Sequence, residues 1–288
     1  MSLWALLRIE IEKVARMKRV YLALVAVSLW AGFFTWAFLR WPKTLTSRAA
    51  SALGMKVDDL VNGFFYARLG LEFGIPLLLP LFVCLVASWQ MAGETQDGTL
   101  RTMLTRPVPR PRLLAAKFAA TGLYVLALSG FLVALLLGIG ISVRGSGPLL
   151  AGPTWWNALM DLQVLPEAAC PLRFALATVL LALAFLELAA CTFCFSCLTR
   201  HPSAALVAAL MLYFLCLIMG NEPLFQEMDF FRDLRPYLPT RPMEVWQQAF
   251  APEIAWNRVV RDLAQVAAFT ATFLGIAVAV TDAKDVTA

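Results

Sequence analysis

Six long apolar runs, separated by short polar or basic stretches, organise the chain. A helix needs about 17–25 residues to cross a bilayer, and at that length the runs predict spans over residues 20–39, 73–91, 118–141, 174–198, 204–219 and 263–280. The fifth, 204–219, falls just short of the range and is expected to end inside the bilayer. Ahead of the first span, Leu3, Leu7, Ile11 and Val14 fall on one helical stripe, with Arg8, Glu12, Lys13 and Arg16 largely elsewhere. That pattern predicts a helix over residues 2–19 lying in the membrane interface.

The segments between the runs carry their own signals. Residues 57–69 read as an amphipathic helix leading into the second span, whose Pro76 and Pro80 each remove a backbone hydrogen bond and predict a bend. Gly122, Gly130, Gly138 and Gly140 in the third span allow close helix approach. Trp41, Trp155 and Trp156 mark headgroup levels. Thr199, Arg200, His201 and Pro202 form a tight reversal, and residues 220–259 mix aromatics, charges and prolines as short half-helices would at an interface.

Composition fixes the class. With 60% hydrophobic and 15% charged residues and a mean hydropathy of +0.73, the chain cannot form a water-soluble surface. It is expected to be an all-α integral membrane protein with six spans, and membrane lipids are its first partner. The net charge of +5 would suit nucleic acid, but the cations sit beside the spans, where the positive-inside rule accounts for them, so no nucleic-acid partner is expected. Arg16, Lys18 and Arg19 directly precede the first span and hold that end in the cytoplasm. No cleavable leader is evident before it. Lys284 in the short tail completes an arrangement with both termini cytoplasmic, in the cytoplasmic (inner) membrane. Cys84, Cys191, Cys194, Cys197 and Cys216 lie in apolar runs, which argues against a disulfide framework.

The densest polar stretch is residues 94–117, which hold Arg101, Arg106, Arg110, Arg112 and Lys117 and lie after two crossings, again on the cytoplasmic side. Thr95 and Asp97 can cap a short helix carrying Leu100, Met103 and Leu104 on one face. Pro107, Pro109 and Pro111 then predict a stiff extended arm. A small apolar knob ringed by arginines suits a cytosolic partner, and an ordinary basic loop that only sets topology reads equally well from the chemistry.

The order Glu94, Gly98-Thr99-Leu100, Leu104, Pro107, Arg110 and Lys117 resembles the first cytoplasmic loop of type-2 ABC (ABC-2) transporter permeases. The three alternating prolines are richer than that family's pattern. The resemblance implies one transmembrane domain with an interfacial elbow helix over 1–19, a cytoplasmic coupling loop over 93–117 and an extracytoplasmic segment over 220–259 that can include re-entrant helices. It also implies that Glu94, Gly98, Thr99, Leu100, Arg101, Met103, Leu104 and Arg110 dock cytosolic ABC ATPase subunits, and that the permease pairs with a second copy or a related permease. Transport would be export of an unidentified substrate. ATP and Mg would belong to the partner.

Catalytic chemistry is not evident in the chain. It has no Gly-Lys dipeptide, hence no phosphate-cradling Walker A loop, and its one histidine excludes a His-Glu-x-x-His zinc site. Glu187, deep in the fourth span, is either a carboxyl that locks helices together or a group on a substrate path, and Gln90 and Gln265 are weaker versions of the same choice. Cys191, Cys194 and Cys197 recur every three residues and read as packing before metal ligation. Rival readings are a biogenesis or regulatory complex of the same fold, a passive channel or scaffold, and an intramembrane enzyme.

Overall fold

The computed structural model describes residues 3–40, 51, 54, 60–98, 109–152, 154, 163–221 and 229–283. Trp41, Trp155, Trp156, Lys284 and the stretch 99–108 lie outside them. In chain order the principal elements are α1 (Leu3–Ala15), α2 (Lys18–Leu39), α3 (Gly63–Ala87), α4 (Ala92–Gln96) and α5 (Arg110–Arg144). There follow β1 (Leu149–Ala151), β2 (Gln163–Leu165), α6 (Cys170–Leu198), α7 (Pro202–Asn221), α8 (Asp229–Leu234), a 3-10 helix at Pro242–Phe250, and α9 (Trp256–Ala283). Six of these helices, α2, α3, α5, α6, α7 and α9, are long and apolar enough to cross a membrane. The all-α, six-span expectation is met.

Helices α3 and α6 form the centre, with α5 packed on both and α1 lying across α5. The closest approach is between α3 and α5. A Cβ built on Gly140 would lie 2.5 Å from the Gly63 carbonyl oxygen, so neither position leaves room for a side chain. Inside α3, Pro80 has no N–H to give the Pro76 carbonyl, and the Tyr213 hydroxyl of α7 donates to that oxygen instead at 3.4 Å.

Several boundaries differ from the sequence reading. The second span begins at Gly63, not residue 73, because Asn62 caps it: its Oδ1 accepts from the N–H groups of Phe64 and Phe65 at 3.0 and 3.2 Å. It ends at Ala87, where residues 88–91 form a turn. Helix α7 has 20 residues, so the fifth span is long enough to cross. Helix α9 begins at Trp256, seven residues before the apolar run starts at 263. Pro111 sits in the first turn of α5, where its missing N–H is of no consequence, so the arm expected to be extended is already helical from Arg110.

The end of the bundle away from α1 is closed by a small antiparallel hairpin, β1 with β2, pairing Leu149 with Leu165. Arg68 of α3 is 1% exposed and holds it, donating Nη1 to Leu150 O at 2.6 Å and Nη2 to Gly152 O, with its guanidinium near the Phe250 ring. Arg173 of α6 donates to Ala249 O and Pro252 O at 3.1 and 3.2 Å, fastening the 3-10 helix. That helix runs alongside α6. Phe250 stacks edge-on to Phe174 at 4.8 Å, while Met243 shares a cavity with Glu187, 13 residues further along α6.

Candidate functional site: a buried ion cluster at the stem of a basic loop

Four ionisable groups from three elements meet where α1 crosses the start of α5. Lys117, in the second turn of α5, is fully buried, its ammonium 3.1 Å from a carboxyl oxygen of Glu10 on α1 and 2.5 Å from Glu94 Oε1 on α4. Lys13, one turn beyond Glu10 on α1, donates to the same Glu94 oxygen. Glu10 and Glu94 are 2% and 3% exposed. Two cations and two anions balance, which is the condition for keeping such groups out of water. Burial, and then the neighbouring Lys117, pushes the Lys13 ammonium down to about 8.

The local sequence explains the placement. Helix α1 turns Leu6, Glu10 and Val14 inward at i, i+4 spacing, with Leu7 and Ile11 partly buried beside them. The acidic member of that stripe was missed in the sequence because the polar face was drawn through Glu12 and Lys13. Glu94 is carried on the five-residue α4, which the Ser196 hydroxyl of α6 anchors by accepting from Met91 N at 3.2 Å and Ala92 N at 2.8 Å while donating to Ser88 O at 2.6 Å. Gly93 leaves room for Trp89, whose ring lies 3.3 Å under the Arg19 guanidinium of α2. The whole stem is thereby tied to α1, α2, α5 and α6.

The helix that Thr95 and Asp97 are expected to cap, over Leu100, Met103 and Leu104, lies outside the described residues. The Thr95 hydroxyl donates back to Met91 O at 2.9 Å, and Asp97 closes α4. Gly98 follows at φ +71°, the left-handed residue that commonly ends a helix. On the far side of the loop, Arg110 donates to Thr281 O and Asp282 O at 2.9 and 3.2 Å, satisfying terminal carbonyls of α9. Thr99, Leu100, Arg101, Met103 and Leu104 lie outside the described residues. Glu94, Gly98 and Arg110 are thus all at the stem, and Glu94 is directed inward onto the lysines.

The two other candidates are in the bundle. Gln90, fully buried, donates Nε2 to Thr121 Oγ1 at 2.9 Å, and Thr121 in turn donates to the Lys117 carbonyl at 3.0 Å, so Gln90 adjoins the ion cluster. Glu187 is remote from it, in a cavity between α6, α7, α9 and the residues around Thr240. Cys191, Cys194 and Cys197 are buried and form no disulfide with the other described cysteines; the last two pack with Met91, Leu114 and Phe193.

An apolar bundle of six long helices with a buried ion cluster at the stem of one loop defines a multi-pass membrane protein. Residues 6–216 match the family described as ABC-2 family transporter protein, and the chain belongs to it. It is therefore a membrane permease component of an ABC transporter, the part that works with ABC ATPase subunits and is not itself the ATPase. The match includes the whole ion cluster and ends within α7, before the 3-10 helix and α9. A comparison with curated proteins found no match.

Proposed function

We propose that this chain is the permease subunit of an ABC exporter, working as a dimer with cytosolic ATPases that bind residues 98–104 and supply the ATP and Mg chemistry. Both termini and the loop between α4 and α5 then face the cytoplasm. The observation that carries the reading is the Glu94–Lys117 ion pair, which joins the two stems of that loop and fixes them to α1. A loop clamped at its base transmits a push to α1, α3 and α5 together, whereas a loosely hung loop would absorb it. ATP-driven closure of the ATPases would rock the two permease copies between inward-facing and outward-facing states, with the substrate path at their interface.

The test is a photoreactive residue introduced at position 100 in intact cells. Crosslinking to a cytosolic ABC ATPase is the expected result, with none from a photoreactive residue at position 150, on the hairpin. Capture of no ATPase from position 100, or equal capture from both positions, would overturn the reading.

A further inference from the structure

The cavity around Glu187 contains an acid with no visible counter-charge. Glu187 is 1% exposed, and neither carboxyl oxygen has a hydrogen-bond partner among the described residues. The cavity measures about 20 Å³. Its lining includes Cys191 on the same helix, Tyr213 and Cys216 on α7, Phe273 on α9, Thr240 in the turn before the 3-10 helix and Met243 in that helix's first turn. No Lys or Arg is among its lining residues.

The titratable groups that face Glu187 are all weak acids. They are Cys191, Tyr213 and Cys216, with Cys84 of α3 interacting with Cys191 from behind. Among the described residues, the elements that remain bring no cation to the cavity either. Helix α9 contributes Phe273, the Glu244 carboxylate of the 3-10 helix is engaged by Arg241 at 2.8 Å, and Tyr124 of α5 donates to Phe82 O.

An isolated carboxylate at this depth carries a large desolvation cost, so one positive charge must accompany it. A metal cation would need several further oxygen donors, and no group of three or more metal-ligating side chains exists among the described residues. A cavity of this size has room for about one water. The occupant that fits is a proton.

We propose that Glu187 is an exchangeable proton site whose occupancy follows the seating of residues 239–243. With Thr240 and Met243 seated, the carboxyl keeps its proton. When they withdraw and water enters, the carboxyl O–H bond breaks, the proton passes to water as hydronium, and the carboxylate that remains is stabilised by hydration. Reseating these residues requires a proton to return. The site would thereby make the position of the 3-10 helix sensitive to pH, independently of how the basic loop is used.

The experiment uses the full chain in lipid nanodiscs. Dicyclohexylcarbodiimide, which modifies protonated carboxyls in apolar sites, should label Glu187 at neutral pH, read by peptide mass spectrometry, with labelling falling as pH rises. Infrared spectra should show a protonated-carboxyl band in the wild type that Glu187→Gln removes. Met243→Gly, which opens the cavity to water, should move the loss of that band to lower pH. The proposal is overturned if Glu187 is unlabelled at neutral pH, or if its protonation is unaffected by Met243→Gly. Protection of Glu187 by sodium or potassium at fixed pH would likewise overturn it, by identifying a metal cation as the occupant. The labelling arm needs no variant, so a Glu187→Gln chain that fails to fold leaves the test intact.

Discussion

Lys117 Nζ lies 2.5 Å from Glu94 Oε1 although 23 positions separate the two residues, and everything between them is the basic loop and its stems. Removing one partner of a buried ion pair leaves the others uncompensated, at a cost of about 3–5 kcal/mol. Lys117→Ala should therefore lower the melting temperature in detergent sharply, because it leaves two buried carboxylates, Glu10 and Glu94, with Lys13 alone. Lys117→Arg, which keeps the charge, should lose less. A melting temperature unchanged in Lys117→Ala would show that the cluster does not hold the stem.

The same cluster gives a pH dependence with a defined sign. The Lys13 ammonium is lowered from 10.5 to about 8 by burial first and by Lys117 second. Between those values the unfolded chain binds more protons at this position than the folded one, so folding stability gains from Lys13 as pH rises through the window. Wild type should gain thermal stability relative to Lys13→Met between pH 8 and 10.5. A constant difference between the two across that range would contradict the assignment.

Two glycines on the same helix should behave oppositely. At Gly140 an added Cβ would meet the Gly63 carbonyl oxygen at 2.5 Å, whereas at Gly138 it would meet nothing within 4 Å. Gly140→Ala must push α3 and α5 apart and should destabilise by about 1–3 kcal/mol, as overpacking does. Gly138→Ala should be neutral or stabilising by up to about 1 kcal/mol through helix propensity. Thermal unfolding of the two variants side by side decides it.

These contrasts also explain what was legible in the sequence. The number of spans and the helical class follow from six apolar runs, because hydrophobic length is a local property of the chain. The four glycines of the third span were equally visible, yet only the fold shows that Gly140, not Gly138, carries the contact. The stem of the basic loop was drawn through Glu94, Gly98, Arg110 and Lys117, but the partners of Glu94 and Lys117 on α1 were not visible. Glu10 and Lys13 are distant in sequence, and the periodicity places Lys13 on the polar face while giving Glu10 no role. A Glu at i+4 from Leu6 and i−4 from Val14, within the apolar stripe, was the available signal. Arg68 was hidden for a similar reason. Its partners are backbone carbonyls of a hairpin between the third and fourth spans, more than 80 residues away in sequence.

If energy enters through residues 98–104, ATPase association with Leu104→Asp is the measurement that tests it most directly. The substitution places a charge on the apolar knob proposed to fill a pocket on the partner, and it leaves the cation count and the Glu94–Lys117 clamp unchanged. The variant should insert and fold normally, judged by yield and melting temperature. Co-purification of the cytosolic ABC ATPase should fall at least tenfold, as expected for a loss of about 1.4 kcal/mol or more in docking. Wild-type recovery of the ATPase with Leu104→Asp would contradict the docking role and leave the loop as a topological signal.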